Sequence, residues 1–131
     1  MVVAHRGVSG EAPENTIPAF NLAWQQGADA IEGDFHLTKD WQVVCIHDAN
    51  TIKAAGKNLV VKNTTLAELK KLDVGIKKGP VFQGTSIPTI GEVFETIPDF
   101  IDCAPIHFQV MPLDDFSEAA DQPPPEFDEE G

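Results

Sequence analysis

Five side chains of this sequence could together carry out acid–base chemistry on a charged substrate: His5, Arg6, Glu32, Asp34 and His47. Glu32 and Asp34 lie two residues apart, so in a β-strand both carboxylates point to the same face. Burying unpaired charge is expensive, which makes a face with two carboxylates poor material for an apolar core. The spacing therefore favours a site on this face.

The residue types indicate the chemistry of such a site. Carboxylate oxygens without cysteine ligands favour a hard divalent cation, Mg²⁺ or Ca²⁺, over a closed zinc site. Arg6 suits a phosphate, because a guanidinium can donate two parallel hydrogen bonds to it. His5 and His47 can share the roles of general base and general acid near neutral pH. The set predicts metal-assisted phosphoryl chemistry.

These residues also have structural interpretations. Either histidine alone is compatible with a structural role, and Glu32 with Asp34 could form a solvated strand face. His36 continues that face and is assigned a structural or supporting role, whereas His107 is assigned none. Glu14 could orient the nearby arginine.

The elements that must position these residues alternate between strand and helix. Residues 2–4 and 30–35 are predicted strands, joined by a helix that begins at Asn15 or Thr16 and stops at Gly27. Such a βα unit places its two strands in parallel. The sites of parallel sheets form at the carboxyl ends of their strands. The five candidate side chains would then all lie at that end of the sheet.

The remaining elements are shorter. Residues 42–46 and 106–111 are predicted strands, and Thr65 and Thr89 each open a helix through a capping box with a glutamate three residues later. Two stretches between these elements are predicted as loops: residues 48–63 and 75–85.

The chain has 131 residues, 42% of them apolar, which is enough for one globular domain. No apolar run approaches the roughly 20 residues that cross a bilayer, so stable membrane insertion is not expected. The first strand starts at Val2, which leaves no room for a secretory leader, and we expect a cytoplasmic location. Cys45 and Cys103 are predicted to be reduced, packed thiols.

The net charge of −12 argues against a nucleic-acid partner, and the acidity is unevenly distributed. Residues 1–100 carry 9 basic and 12 acidic residues, whereas residues 101–131 carry no basic and 9 acidic ones. We therefore predict two parts, a folded domain at 1–111 and an acidic, proline-rich tail at 112–131 that is disordered or non-native.

Several short motifs, taken in order, resemble the glycerophosphodiester phosphodiesterase family over about residues 2–98. They are His5-Arg6-Gly7, Ala12-Pro13-Glu14-Asn15-Thr16, Gly27-Ala28-Asp29, Ile31-Glu32-x-Asp34, His36-Leu37-Thr38-Lys39-Asp40, Ile46-His47-Asp48, Thr65-Leu66-Ala67-Glu68-Leu69 and Ile87-Pro88-Thr89. Each motif is weak alone, but the ordered set is highly specific.

The resemblance implies a (β/α)₈ TIM barrel of the phospholipase C-like phosphodiesterase type. It also implies metal-dependent hydrolysis of glycerophosphodiesters to glycerol 3-phosphate and an alcohol, in lipid and glycerol metabolism. Its acid/base pair matches His5 and His47, its phosphate-binding arginine matches Arg6, and two of its metal ligands match Glu32 and Asp34. Related phosphodiesterases that cleave sphingomyelin-like lipids share a similar site, so the substrate is left open at this point.

The sequence also departs from the family pattern. Gln109 stands where a further metal-binding glutamate is expected, and Met111 stands where a lysine is expected. A complete barrel needs roughly 250 residues. We therefore expect a truncated or frame-shifted N-terminal part, a partial barrel with weak or no activity that could self-associate through open edges. The alternative is a non-catalytic fragment that binds or pairs with a partner barrel half.

Overall fold

The computed structural model describes residues 2–98 and the backbone of a strand at 106–110. Four strands form one sheet around a central strand, β2. In chain order they are β1 (Val3–His5), β2 (Ala30–Leu37), β3 (Val43–Cys45) and β4 (Ile106–Val110). β1 and β4 run parallel to β2, and β3 runs antiparallel to it.

The pairing registers place β1 and β3 on one edge of β2 and β4 on the other. β1 pairs with residues 30–32 of β2 and β3 with residues 35–37, whereas β4 pairs with residues 31–35. On the edge of β2 that β1 and β3 share, neither strand pairs with Gly33 and Asp34. These two residues form an interval between β1 and β3. The candidate site residues lie around this interval.

Four short α-helices accompany the sheet. They are α1 (Ile17–Gln25), α2 (Ile52–Ala55), α3 (Leu66–Leu69) and α4 (Ile90–Phe94). Thr16 caps α1 by accepting a hydrogen bond from the Ala19 amide, which decides between the two predicted cap residues. Both predicted capping boxes are confirmed, with Thr65–Glu68 opening α3 and Thr89–Glu92 opening α4.

The two faces of β2 have different environments. Its odd-numbered residues, Ile31 and Phe35, pack against Phe20 and Trp24 of α1 in the main apolar cluster. A second cluster lies beneath α3 and contains Val44 and Ile46 together with other apolar residues: Val61, Leu69 and Ile87. Burial of each large apolar side chain contributes about 1.5–3 kcal/mol. Since α1 covers the odd face, the carboxylates of residues 32 and 34 stand on the other face.

Several predicted boundaries were wrong. β2 extends two residues beyond Phe35, and β3 is shorter than the predicted 42–46 segment. The predicted loop 48–63 contains α2 and a 3₁₀ turn at Val61–Asn63, and the predicted loop 75–85 contains another at Pro80–Phe82. These turns have three or four residues, too few to show a helical period.

The orientation of β3 corrects a further expectation. The polar residues do not all follow the carboxyl ends of parallel strands, because β3 returns antiparallel along β2. The strand predicted at 106–111 is confirmed as β4 over residues 106–110, and Cys103, Met111 and the tail lie outside the described residues. Cys45 is buried with a free thiol, as predicted. None of the described helices has the length and apolar character needed to cross a membrane.

Gly7 and Gly27 provide a matched test of this packing. Both have positive φ, +80° and +89°, but a Cβ at Gly7 would lie 2.7 Å from the backbone of Ala19, whereas a Cβ at Gly27 would meet nothing within 4 Å. We expect Gly27→Ala to cost about 1–2 kcal/mol through backbone strain alone. Gly7→Ala should cost roughly 1–3 kcal/mol more, because β1 and α1 must separate.

Urea unfolding of both variants measures this difference, with Gly10→Ala as the control, since Gly10 has open space and no positive φ. Equal midpoints for Gly7→Ala and Gly27→Ala would contradict the close approach of β1 and α1.

Candidate active site

The Arg6 guanidinium connects two carboxylates from different parts of the chain. Its Nε lies 2.9 Å from Oδ2 of Asp34, and its Nη1 donates to Oε1 of Glu14 at 3.2 Å. Asp34 is almost fully buried, and its side chain retains only 2% exposure, so the arginine compensates a charge that would otherwise be costly to bury. The predicted contact between Glu14 and Arg6 is confirmed.

Asn15 fills the interval between β1 and β3 with its side-chain amide. Its Oδ1 accepts from the Asp34 backbone amide at 3.2 Å, and its Nδ2 donates to Oδ2 of Asp34 at 3.0 Å. The Cys45 thiol also donates to this Oδ1, at 3.3 Å. Burial, followed by the charge of Asp34, raises the pKa of that thiol, so it remains protonated. A single asparagine thus holds Asp34 on the edge of β2 where neither β1 nor β3 pairs with it.

Backbone strain accompanies this arrangement. Arg6 and Asn15 adopt left-handed conformations with φ of +60° and +59°, and the Asn15 amide donates to the Arg6 carbonyl at 3.0 Å. A left-handed residue other than glycine costs about 1–3 kcal/mol and persists only where its surroundings fix it. The chain therefore bends sharply at both residues to bring their side chains to Asp34.

His47 follows β3 and is held on both sides. Its Nδ1 lies 2.8 Å from Oδ1 of Asp48, and its backbone carbonyl lies 3.0 Å from Nε2 of the buried His36. A carboxylate at Nδ1 favours a proton there and leaves Nε2 as the atom that can exchange a proton with a ligand. His36 therefore has the supporting position predicted for it.

The other predicted site residues lie nearby on the sheet. His5 is exposed and is in register with Glu32, whose residue is partly exposed. On the opposite edge, Gln109 is in register with Asp34, and His107 with Glu32. The structure thus groups Arg6 with Asp34 directly, and brings His5 to the level of Glu32.

A cleft of about 240 Å³ opens beside His47. The segment Ile46–Asp48 and α2 contribute to its lining, together with residues 9–14 and a loop at 73–85. A smaller adjoining cavity of about 30 Å³ is lined by Glu14, Asn15 and His47 among others. The cleft therefore reaches from the surface towards the Arg6–Asp34 group.

Asp73 shapes the loop at residues 73–85 through hydrogen bonds to its own backbone. Its Oδ2 accepts from the Gly84 amide at 2.8 Å, and its Oδ1 accepts from the amides of Gly75 and Ile76 at 2.9 and 3.0 Å. These bonds, first the one from Gly84 and then the one from Gly75, lower the pKa of the Asp73 carboxyl. The loop conformation thus depends on an ionised Asp73.

The donor set fits a hard divalent cation in its chemistry. Glu32 and Asp34 offer carboxylate oxygens from one face of β2, which suits Mg²⁺ or Ca²⁺. Residues 2–98 contain no group of three or more histidine, cysteine and acidic residues arranged to hold an ion. That Glu32 and Asp34 are metal ligands stays a prediction, and Oδ2 of Asp34 already contacts Arg6 and Asn15.

Two residues of the site have no catalytic or binding role predicted from the sequence. Asn15 was considered only as a helix cap, and nothing in its spacing indicates the contact with Asp34, 19 residues away. Asp48 is adjacent to His47, and adjacent side chains of a strand point to opposite faces. Their contact occurs because β3 already ends at Cys45.

Comparison with known proteins places this geometry in a family. Residues 5–127 match the family model described as the glycerophosphoryl diester phosphodiesterase family. The chain belongs to this family. The match continues past Pro98, where the resemblance seen in the sequence ended, and the domain division at 111 and 112 stays a prediction.

Individual relatives match most of this chain but less of themselves. A glycerophosphodiester phosphodiesterase of Caldanaerobacter subterraneus is 52% identical over 99 residues, which are 76% of this chain and 41% of the relative. Lysophospholipase D GDPD1 of Rattus norvegicus is 43% identical over 103 residues, covering 74% of this chain and 33% of the relative. The chain thus spans less than half the length of these two relatives.

A solved structure agrees in fold. A phosphodiesterase from Oleispira antarctica, in complex with the product sn-glycerol-3-phosphate, superposes with a TM-score of 0.79 at 35% identity. The superposition covers 96% of this chain and 53% of that protein.

Replacing Asn15 tests the closure of the sheet interval. We expect Asn15→Gly to cost about 2–4 kcal/mol, since it relieves the φ strain but leaves the buried Asp34 amide without a partner and removes one of the two contacts of Oδ2. Asn15→Asp should cost more as pH rises from about 4 to 7, because a second carboxylate beside Asp34 raises the pKa of the pair in the folded state. Urea unfolding across this pH range measures both effects.

Asn21→Asp is the matched control, because Asn21 is exposed on α1. A penalty for Asn15→Asp that stays constant between pH 4 and 7 would argue against the Asn15–Asp34 contact.

The low pKa of Asp73 sets the direction of a second test. The stabilising effect of the ionised Asp73 carboxyl is fully present above the unfolded-state pKa of about 3.9. The effect is lost as pH falls through the lower pKa of the folded state. Asp73→Asn removes the charge at neutral pH, so we expect several-fold faster hydrogen exchange at the amides of Gly75, Ile76 and Gly84. Exposed Glu95→Gln serves as the control, and unchanged exchange in Asp73→Asn would refute the role of the carboxylate.

Proposed function

We propose that this chain carries the catalytic residues of a metal-dependent glycerophosphodiester phosphodiesterase, which releases glycerol 3-phosphate and an alcohol. The observation that carries the proposal is the juxtaposition of Arg6, Asp34 and Glu14 beside the cleft that contains His47. The printed names of the relatives, and the glycerol phosphate bound in the Oleispira antarctica protein, support this substrate class.

The two histidines act as the acid and the base. One imidazole accepts the proton of the glycerol hydroxyl next to the phosphate as that oxygen bonds to phosphorus. The other imidazole donates a proton to the alcohol oxygen as its bond to phosphorus breaks. Water then opens the cyclic phosphate with the two roles reversed. In His47, the Nδ1 atom is in contact with Asp48. The Nε2 atom is therefore the one that exchanges the proton with the substrate.

Arg6 binds the phosphate, and Glu14 and Asp34 orient its guanidinium. A guanidinium held on two sides loses little side-chain entropy when a phosphate arrives. Glu32 and Asp34 would hold a divalent cation, either Mg²⁺ or Ca²⁺, which neutralises negative charge that develops on phosphoryl oxygens. The backbone of Gln109 is in register with Asp34, at the position where the family pattern has a glutamate.

The sheet is proposed to be part of a (β/α)₈ barrel whose inner face carries residues 32, 34 and 36. The parallel pairs of β2 with β1 and β4, with α1 on the outer face, support this. A cytoplasmic location, a place in lipid and glycerol metabolism and self-association through open sheet edges stay predictions.

Release of glycerol 3-phosphate from glycerophosphocholine by the purified chain tests the function. With Mg²⁺ or Ca²⁺ present we expect turnover that is weak, as for a partial barrel, and that falls by about 10²–10⁴-fold in His47→Ala, the usual contribution of a general acid or base. A chelator should abolish turnover, and added cation should restore it. Asn21→Ala, an exposed change on α1, should leave the rate unaltered.

Absence of turnover in a chain with a cooperative unfolding transition would reject catalysis by this chain alone. The alternative of a non-catalytic fragment that pairs with a partner barrel half would then be favoured. Light-scattering mass would support that alternative if the chain forms a defined oligomer. Turnover that persists in the chelator would reject the cation but retain the histidine mechanism.

A further inference from the structure

The cleft beside His47 is lined by three lysines, which the mechanism above does not use. They are Lys53 on α2 and Lys77 and Lys78 on the 73–85 loop. The chain contains only nine basic residues in all and has a net charge of −12. A third of its basic residues therefore gather around one cleft, against the charge of the whole chain.

Hydrogen bonds position two of these lysines without neutralising their charge. Lys77 Nζ donates to the Lys53 carbonyl at 3.0 Å, and Lys78 Nζ donates to the Ser9 carbonyl at 2.9 Å. Backbone carbonyls orient an ammonium but do not cancel its charge. Over residues 2–98, none of the three lysines forms an ion pair with a carboxylate.

The acidic residues of the same cleft are already engaged. Glu14 contacts the Arg6 guanidinium at 3.2 Å, and Asp48 contacts Nδ1 of His47 at 2.8 Å. An ammonium has three donors, so Lys78 keeps two beyond its bond to Ser9, and the exposed Lys53 has no hydrogen bond of its own ammonium among the described contacts. The cleft thus offers positive charge and free donors to a ligand.

We infer that this cleft receives the alcohol part of the substrate and selects an alcohol that carries a further negative charge. The inference rests on the proposed function, in which the phosphate lies at Arg6 and the glycerol part bears no other charge. A second anionic group of the substrate must then belong to the alcohol. This places His47, which lines the cleft, as the acid that protonates the leaving alcohol. Cationic alcohols such as choline are the disfavoured ones.

Three substrates isolate the charge of the alcohol: glycerophosphocholine, glycerophosphoinositol and glycerophosphoinositol 4-phosphate. We expect kcat/KM to rise in that order, with about a fivefold gain from the added phosphate, as for one more charge pair in water. The gain should shrink in 0.5 M salt, because added salt screens exposed charges at about that concentration.

A binding measurement tests the inference separately from turnover. In His47→Ala with Mg²⁺, calorimetry should show glycerophosphoinositol 4-phosphate binding about fivefold tighter than glycerophosphoinositol. Adding Lys53→Glu should bring this ratio to about one, whereas Lys71→Glu, the same charge change at an exposed lysine that does not line the cleft, should leave it unchanged. Lys53→Gln, expected to give an intermediate ratio, replaces Lys53→Glu if the latter fails to fold.

Equal affinities for the two inositol ligands, a ratio unaffected by Lys53→Glu, or no binding of either ligand would each overturn the inference. Selective binding by His47→Ala without hydrolysis by the parent chain would reject the proposed function and leave the lysine site in place.

Discussion

The buried carboxylate of Asp34 is the constraint on which the rest of the site depends. An isolated charge at this depth would be very costly, and the chain compensates it with Arg6 and Asn15, which both contact Oδ2. To reach that oxygen, each of these residues adopts a left-handed backbone. The strain and the bend after β1 thus accompany the contacts that surround one carboxylate.

Contacts to the backbone of the same residue also explain why strand pairing can be interrupted on this edge of the sheet. β1 ends opposite Glu32 and the antiparallel β3 ends opposite Phe35, so the backbone of Asp34 would lack a partner strand on this edge. The Asn15 side chain satisfies the Asp34 amide, and the Ile46 amide donates to the Asp34 carbonyl at 2.8 Å. One side chain and one loop amide thus satisfy the backbone groups of Asp34 that a neighbouring strand would otherwise pair.

Much of this architecture is readable in the sequence, because it depends on local interactions. The capping boxes at Thr65 and Thr89 are short-range hydrogen bonds between neighbouring residues, and both formed where predicted. The alternation that separates Ile31 from Glu32 likewise follows from the geometry of any strand.

The features that the sequence does not reveal depend on contacts between distant segments. The role of Asn15 depends on its contact with the distant Asp34. His47 follows a strand that runs antiparallel to β2, and not the parallel strand that was predicted. The short helix α2 has one turn and no apolar period, yet it brings Lys53 to the cleft. Family resemblance could suggest His47 as a site residue, but only the folded chain places three lysines around it.

The distribution of charge gives the site a direction. In this group the acidic side chains are in contact with basic ones, since Arg6 lies between two carboxylates and His47 lies against a third. Around the outer cleft, backbone carbonyls hold Lys77 and Lys78 in place and leave their charges uncompensated. Because the chain as a whole is strongly acidic, its net charge repels an anion at long range, whereas the lysines of this cleft attract it at short range. Salt weakens both effects, so discrimination between charged ligands must arise from the short-range contacts within the cleft.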